Sequence, residues 1–226
     1  MRILISGAHG LIGAALSQSL RRDGHDLIHL VRARTAVSPE EAAWDPQHGL
    51  RDPESMPTPD AVFHLAGENI ASGRWTAARK AAIRASRVQG TQRLGESLLV
   101  SGRLPRVFLC ASAIGYYGDG GAVQLDESAG PGQGFLAEVC HAWEAASRPL
   151  ASHGVRVVHL RFGVVLSESG GALAKMLPPF RLGLGGPVGG GRQYISWITL
   201  DDAVGAAKLA LSDDRAQGPL RPKQTS

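Results

Sequence analysis

Short apolar runs alternate with segments of helical periodicity along this 226-residue chain. Strands without polar alternation are typical of a parallel sheet covered on both faces, and intervening helices supply that cover. The pattern therefore predicts an α/β fold with a doubly wound parallel sheet. The strand-like runs are residues 2–6, 26–31, 61–66, 106–111, 155–166 and 194–198. The helical segments are residues 11–20, 76–100, 135–150 and 203–211.

The remaining segments define the expected organisation of the chain. We expect one domain over residues 1–212. Residues 213–226 are polar, contain two prolines and lack apolar periodicity, so they predict an unstructured tail. The sequence Ser38-Pro39-Glu40-Glu41 resembles a capping box and predicts the start of a short helix.

Composition excludes several classes of protein. The 24 basic residues exceed the 20 acidic ones by only four and are scattered, and aromatic residues make up 5% of the chain, which argues against nucleic-acid binding. No apolar run approaches the roughly 18 to 20 residues of a membrane span. The chain enters its first strand without an apolar leader, so we expect a cytoplasmic protein. Two cysteines and scattered histidines predict no metal site.

Three glycines mark the junction between the first strand and the first helix. Gly7 permits a tight turn, Gly10 allows a pyrophosphate to approach the backbone, and Gly13 lets the helix pack closely on the sheet. Leu11 and Ile12 lie in the first helical turn, where backbone amides and the helix dipole favour an anion. The spacing predicts a nucleotide site, and the alternative is a purely structural turn.

The segment after the second predicted strand indicates which dinucleotide this site prefers. An NAD site usually places a carboxylate there, but residues 27–34 contain none and offer Arg32 and Arg34 instead. Arginines form charge-assisted hydrogen bonds with a 2′-phosphate, so we expect NADP. The alternative is that both arginines are simply solvated.

The third predicted strand ends in His64-Leu65-Ala66-Gly67. Its small residues fit a segment that lies against the adenosine or ribose of the nucleotide. Packing within the fold explains them equally well.

With these pieces in place, the sequence resembles the short-chain dehydrogenase/reductase superfamily, in particular the atypical "epimerase family protein" branch of the NAD-dependent epimerase/dehydratases. The resemblance implies a Rossmann-type NADP-binding domain with Arg32, Leu65, Ala66, Gly67, Arg87 and Arg161 among the cofactor contacts. The matching segments are residues 7–13, 64–70, 86–88, 112–118, 143–145, 161–166, 179–187, 197–198 and 201–202.

The catalytic pattern of the superfamily is incomplete. No Tyr-x-x-x-Lys motif exists in the chain, and an alignment on Glu144 places Leu136 and Cys140 at its Tyr and Lys positions. The resemblance implies Ser112 as the catalytic serine, with Tyr116 or Tyr117 as an acid supplied by a different route. The alternative is that the serine and the aromatic residues merely close the end of a strand.

The chain is also shorter than the proteins it resembles. We expect only a partial substrate lobe at about residues 167–193, exposed apolar surface near the sheet edge, and association with a second copy as one way to cover it. The resemblance implies an NADP-dependent oxidoreductase or epimerase acting on a small carbonyl or sugar-nucleotide substrate. The alternative is a catalytically inactive NADP-binding module or redox sensor.

Overall fold

The computed structural model describes residues 1–32, 38–187, 190–191 and 193–222. The strands are β1 (Arg2–Ser6), β2 (Asp26–Val31), β3 (Glu41–Asp45), β4 (Gly49–Leu50), β5 (Ala61–His64), β6 (Val107–Ala113), β7 (Arg156–Phe162), β8 (Val164–Ser167), β9 (Trp197–Thr199) and β10 (Gly218–Leu220). The helices are α1 (Leu11–Arg22), α2 (Ala77–Val100), α3 (Phe135–Ala145), α4 (Arg148–Ser152), α5 (Gly171–Arg181) and α6 (Leu200–Ser212), with a 3₁₀ turn at Ile114–Tyr117.

The central sheet confirms the predicted doubly wound α/β fold. Within the described residues its strand order is β10-β7-β6-β5-β1-β2-β3-β4, and every pairing is parallel except that of β3 with β4. The order runs in opposite directions from β1 and from β5, so right-handed crossovers put α1 and α2 on opposite faces of the sheet. Ligands of such folds bind where the direction changes, at the carboxyl ends of the strands.

The core lies on both faces of the central strands. Ile3, Leu4 and Ile5 of β1 are fully buried, as are Phe63 of β5 and Phe108 of β6. A strand that buries consecutive residues cannot have a polar face, which explains why the sequence shows continuous apolar runs. Because helices cover both faces of the sheet, a ligand can approach at the carboxyl ends of the strands.

The predicted helix start at Ser38-Pro39-Glu40-Glu41 is wrong. The chain instead enters β3 at Glu41, which pairs in parallel with His29 of β2. A capping box is a local signal, whereas this strand forms because the edge of β2 offers unpaired backbone groups. The strand then turns back as β4, so a hairpin closes this side of the sheet.

The predicted unstructured tail is also wrong for the described part of residues 213–226. Residues 218–220 form β10 and pair in parallel with Val158, His159 and Leu160 of β7. The guanidinium of Arg156 fixes the approach to this strand by donating to the carbonyls of Ala210 and Ala216. Contacts between distant segments cannot be predicted from local composition. A polar segment without apolar periodicity therefore joins the sheet although its sequence predicts no strand.

Two other predicted elements are each divided in the structure. The run at 155–166 forms β7 and β8, which lie in different sheets. Gly163 separates the two strands, and a Cβ there would lie 2.8 Å from the carbonyl oxygen of Ser196, so the two backbones approach closely at this point. The helix predicted at 135–150 is α3 and α4, and Pro149 lies in the first turn of α4. The helix predicted at 76–100 is confirmed, with Thr76 as its N-cap.

The expected partial lobe contains α5, which leaves its apolar side exposed. Phe180, Leu182 and Leu184 are all more than half exposed in and after this helix. Residues 188, 189 and 192 of the segment lie outside the described part of the chain. Association with a second copy through this surface stays a prediction. No helix among the described residues has the length and hydropathy needed to cross a bilayer.

Candidate functional site

The loop between β1 and α1 accepts only glycine at its key positions. Gly7 has a φ of +72°, and a Cβ there would lie 2.8 Å from the amide nitrogen of Ala66. A Cβ at Gly13 would lie 2.1 Å from the carbonyl oxygen of Gly7. These contacts involve backbone atoms on both sides and therefore cannot relax through a side-chain rotation. The glycine spacing predicted from the sequence thus reflects close backbone packing.

The first turn of α1 presents its amides without a side-chain cap. Gly10 is the N-cap residue and forms no side-chain cap, and the first turn contains no acidic residue. Leu11 and Ile12 follow directly and are half-buried. Uncapped amides at the positive end of a helix favour an anion, so this turn can accept a phosphate.

A buried pair of polar side chains joins this loop to the end of β5. Ser6 Oγ lies 2.7 Å from His64 Nδ1 and accepts a hydrogen bond from the Ala66 amide at 3.2 Å. Burial lowers the pKa of His64 to about 4, so the ring is neutral at pH 7. His64 Nε2 is buried without a hydrogen-bond partner among the described residues. The pair fixes Leu65 and Ala66 beside the glycine loop.

Arg87 of α2 lies over the end of β5. A Cβ at Gly67 would be 3.2 Å from the guanidinium carbon of Arg87, so this glycine permits the close approach. The guanidinium donates to the carbonyls of Glu68 and Ile83 at 3.1 and 3.2 Å and lies 5.1 Å from the centre of the Trp143 ring. Burial lowers the pKa of Arg87, and no carboxylate of the described residues forms an ion pair with it. It is a fixed cation near the glycine loop.

Of the two arginines expected to select NADP, the structure describes only Arg32. Arg32 follows β2 at the same sheet edge as Gly7 and is exposed, and within the described residues it has no ion pair. Arg34 lies outside the described residues, so its role stays a prediction.

The predicted catalytic residues form a second group, at the carboxyl end of β6. Ser112 Oγ donates to Glu144 at 2.7 Å. Arg161 binds both carboxylate oxygens of Glu144 at 2.8 Å and donates to the hydroxyl of Tyr117 at 2.9 Å. The guanidinium also covers the ring of Tyr116, with 3.5 Å between its carbon and the ring centre. Ser112, Tyr116, Tyr117 and Arg161 are all buried, so the network lies largely below the surface.

Electrostatics hold Glu144 and Arg161 in their charged forms. Burial alone would raise the pKa of Glu144, but hydrogen bonds from Arg161 and Ser112 outweigh it and lower that pKa below its usual value. Burial likewise opposes the charge of Arg161, and the bonds to Glu144 and Tyr117 outweigh it and raise its pKa. The bidentate geometry is the strong form of this ion pair.

The residues at the superfamily's Tyr and Lys positions, Leu136 and Cys140, pack against the 3₁₀ turn. A Cβ at Gly115 would lie 3.4 Å from Leu136 Cβ and 3.7 Å from Cys140 Sγ. The 3₁₀ turn therefore packs against the face of α3 where the phenol and the amine would project. Burial raises the pKa of the Cys140 thiol to about 11, so it is not a nucleophile at pH 7. Leu136 and Cys140 therefore do not replace the Tyr and Lys of the superfamily motif.

The structure thus brings the predicted residues together in two groups about two strands apart, or roughly 10 Å at the usual strand spacing. The glycine loop with Leu65, Ala66, Gly67 and Arg87 forms one, and Ser112 with both tyrosines forms the other. Arg161, predicted as a cofactor contact, directs its guanidinium into the second group, and its cofactor role stays a prediction. Sequence reasoning missed the buried role of His64 and the pairing of Glu144 with Ser112 and Arg161. The signals that Glu144 offered were its place directly after Trp143 of the apolar helix stripe and its alignment with an acidic residue of the superfamily.

No group of three or more His, Cys, Asp or Glu side chains in the described part of the chain is placed to hold a metal ion.

Comparison with known proteins gives a consistent family. Residues 3–221 match the NAD dependent epimerase/dehydratase family. Epimerase family protein Mb2239 of Mycobacterium bovis is 43% identical over 96% of this chain and 71% of its own length. The crystal structure of human epimerase family protein SDR39U1 (isoform 2) with NADPH superposes with a TM-score of 0.88 at 35% identity, over 98% of this chain and 73% of that one.

A further solved structure is the nucleoside-diphosphate sugar epimerase from Corynebacterium glutamicum. It is 37% identical with a TM-score of 0.82, and the match covers 98% of this chain and 46% of that one. The family match, the sequence identities and the shared fold all agree with the resemblance read from the sequence. This chain belongs to the NAD dependent epimerase/dehydratase family.

Proposed function

We propose that this chain binds NADPH along the carboxyl edge of its sheet and acts as an oxidoreductase or epimerase-like enzyme on a carbonyl or sugar-nucleotide substrate. The observation that carries the proposal is the glycine loop. A Cβ at Gly7 or Gly13 would clash with backbone atoms. The first turn of α1, which has no side-chain cap, follows directly after this loop. Such a loop fits the pyrophosphate of a dinucleotide.

The residues present fit the coenzyme at each of its charged parts. The amides of α1 supply donors for the pyrophosphate, and Arg32 supplies a cation at the end of β2 for the 2′-phosphate. Leu65, Ala66 and Gly67 offer a small-residue surface for the adenosine or ribose, and Arg87 adds a second cation beside it. The similarity to a human protein whose crystal structure contains NADPH supports the same choice of coenzyme.

When bound, the nicotinamide ring supplies the hydride, and the chain's own side chains must handle the substrate oxygen and its proton. Tyr117 accepts a hydrogen bond from Arg161, so its own hydroxyl hydrogen remains available for a substrate oxygen. The guanidinium of Arg161 then stabilises negative charge that develops on the phenol oxygen. Ser112 donates to Glu144 and reaches a substrate only by turning its hydrogen away from that carboxylate. We therefore propose Tyr117 as the proton donor and Ser112 as its orienting neighbour.

Coenzyme choice is tested by replacing Arg32. In a fluorescence titration, Arg32→Ala should weaken NADPH binding about tenfold, because one charge-assisted hydrogen bond is lost, and should leave NADH unchanged. Arg22→Ala is the matched control, since Arg22 is an exposed arginine in the last turn of α1, at the opposite edge of the sheet. An unchanged preference for NADPH in Arg32→Ala would remove this arginine from the site.

Catalysis is tested by Ser112→Ala and Tyr117→Phe. Both variants should bind NADPH like the parent chain and lose turnover on any carbonyl compound or sugar nucleotide found by screening. Tyr194→Phe is the control, because Tyr194 is 80% exposed and lies outside the network. Full turnover in both variants would end the proposed roles. Coenzyme binding by the parent chain without any turnover would instead favour a coenzyme-binding module.

A further inference from the structure

A concave surface lined partly by Arg32 encloses a volume of about 370 Å³. Its other wall is the β3–β4 hairpin, which contributes Trp44, Asp45, His48 and Arg51. The sequence predicted only a helix start at Ser38-Pro39-Glu40-Glu41 in this part of the chain and assigned no role to these four hairpin residues. The structure therefore groups two further basic side chains with the arginine expected to select the coenzyme.

The strand pairing explains why the hairpin reaches this position. Val31 pairs with Ala43 in parallel, so the next residues along, Arg32 and Trp44, lie side by side at the carboxyl ends of the two strands. Asp45 pairs with Gly49 across the hairpin, which puts the turn at the carboxyl ends of the strands. This is the same edge of the sheet as the loop between β1 and α1.

The hairpin is held rigidly enough to serve as one wall of a site. The Leu50 amide donates to Ser97 Oγ of α2 at 3.0 Å, and the Arg51 amide donates to the Ala43 carbonyl at 3.0 Å. Gly49 has a φ of +90°, and a Cβ there would lie 2.9 Å from the carbonyl oxygen of Arg93. The backbone that carries His48 and Arg51 is therefore fixed against α2.

The charges of this concave surface favour an anion. No carboxylate among the described residues forms an ion pair with Arg32 or Arg51. The one acidic residue in the lining, Asp45, accepts from the amides of Gln47 and His48 and lies 3.0 Å from His48 Nδ1. Its charge is thus engaged within the hairpin turn, where backbone hydrogen bonds lower the pKa of Asp45.

We propose that Arg51 and His48 complete, with Arg32, the site for the 2′-phosphate of the coenzyme. The proposal rests on NADPH binding and adds two specificity-determining residues to it. Arg51 supplies a fork of donors that suits a phosphate, and His48 a smaller contribution because it also faces Asp45. Three groups from two separated segments account for discrimination against NAD, which lacks the phosphate.

The experiment uses the full chain and four nucleotides in isothermal titration calorimetry: NADPH, NADH, adenosine 2′,5′-bisphosphate and 5′-AMP. Arg51→Ala should weaken NADPH and the bisphosphate roughly tenfold and leave NADH and 5′-AMP unchanged. His48→Ala should weaken the same two nucleotides by about twofold to fivefold. Arg51→Glu should abolish the preference, because it places a carboxylate beside the phosphate.

One control variant and the parent chain separate the possible outcomes. Arg22→Ala removes an equal charge at the opposite edge of the sheet and should change none of the four affinities. If Arg51→Ala keeps the parent preference, the hairpin site is overturned while NADPH binding stands. Equal weakening of NADPH and NADH would also overturn it, since the residue would then not contact the phosphate. If the parent chain binds none of the four nucleotides, the proposed function itself fails.

Discussion

The glycine loop and the Ser112–Glu144–Arg161–Tyr117 network lie at the same edge of one sheet and are built in opposite ways. The loop is made of backbone, and its key contacts join residues six positions apart or bring two strand ends together. The network is made of side chains from β6, the 3₁₀ turn, α3 and β7 that meet only after folding. The loop has no room for a Cβ at Gly7 or Gly13. The network depends on the opposite charges of Glu144 and Arg161.

This difference teaches where each region is vulnerable. A methyl group in the loop collides with backbone, and neighbouring side chains cannot move to relieve it. A missing partner in the network leaves a buried charge without compensation. Substitutions of opposite kinds should therefore disrupt the two regions.

The largest effect is expected for Gly13→Ala. Its Cβ would lie 2.1 Å from the carbonyl oxygen of Gly7, so we expect at least about 4 kcal/mol lost from the free energy of unfolding, or failure to fold. Urea denaturation measures this. Gly205→Ala is the control. Its Cβ would meet nothing within 4 Å inside α6, so this variant should gain up to about 1 kcal/mol in the free energy of unfolding. A stable, coenzyme-binding Gly13→Ala chain would contradict the loop geometry.

The next effect is expected for Arg161→Leu, which leaves Glu144 buried without its partner. Breaking such a pair should cost about 3 to 4 kcal/mol in the free energy of unfolding. Arg93→Ala breaks the exposed pair with Glu96 and should cost under about 0.5 kcal/mol. The double variant Glu144→Leu with Arg161→Leu should be more stable than Arg161→Leu alone. Equal stability of the single and double variants would show that the charge is not the source of the loss.

A pH effect is expected from His64, which joins the loop to the end of β5. Its pKa is about 4 in the folded chain against 6.5 ordinarily, so the unfolded chain binds the extra proton between these values. Stability therefore falls as pH drops from about 6.5 to about 4, by about 3 kcal/mol from this group. His64→Asn keeps an acceptor for Ser6 and should lose less stability over that range. The exposed His153→Asn serves as control, and a His64→Asn chain with the parent pH profile would contradict the assignment.

The same contrast explains how much could be predicted from the sequence. Gly7 and Gly13 could be predicted because their constraint is local and only glycine meets it. The parallel sheet could be predicted because β1, β5 and β6 each contain an uninterrupted run of at least three apolar residues. The pairing of Glu144 with Arg161 was not readable, because a salt bridge between distant segments depends on which strands become neighbours.

The edges of the sheet were the hardest part to predict. Glu41 begins a strand although Ser38 to Glu41 has the local pattern of a helix start, because pairing with β2 outweighs a weak local preference. Residues 218–220 join the sheet for the same reason. The hairpin that follows β3 then brings His48 and Arg51 to Arg32, so the further coenzyme contacts proposed for this hairpin were equally out of reach.

Direct titration of the purified parent chain with NADPH and NADH by isothermal calorimetry tests the central claim. The account predicts saturable binding at one site, with NADPH bound more tightly than NADH because the 2′-phosphate meets arginine at the end of β2. No measurable binding of either dinucleotide would contradict it, since the close backbone packing at Gly7 and Gly13 would then serve the fold alone.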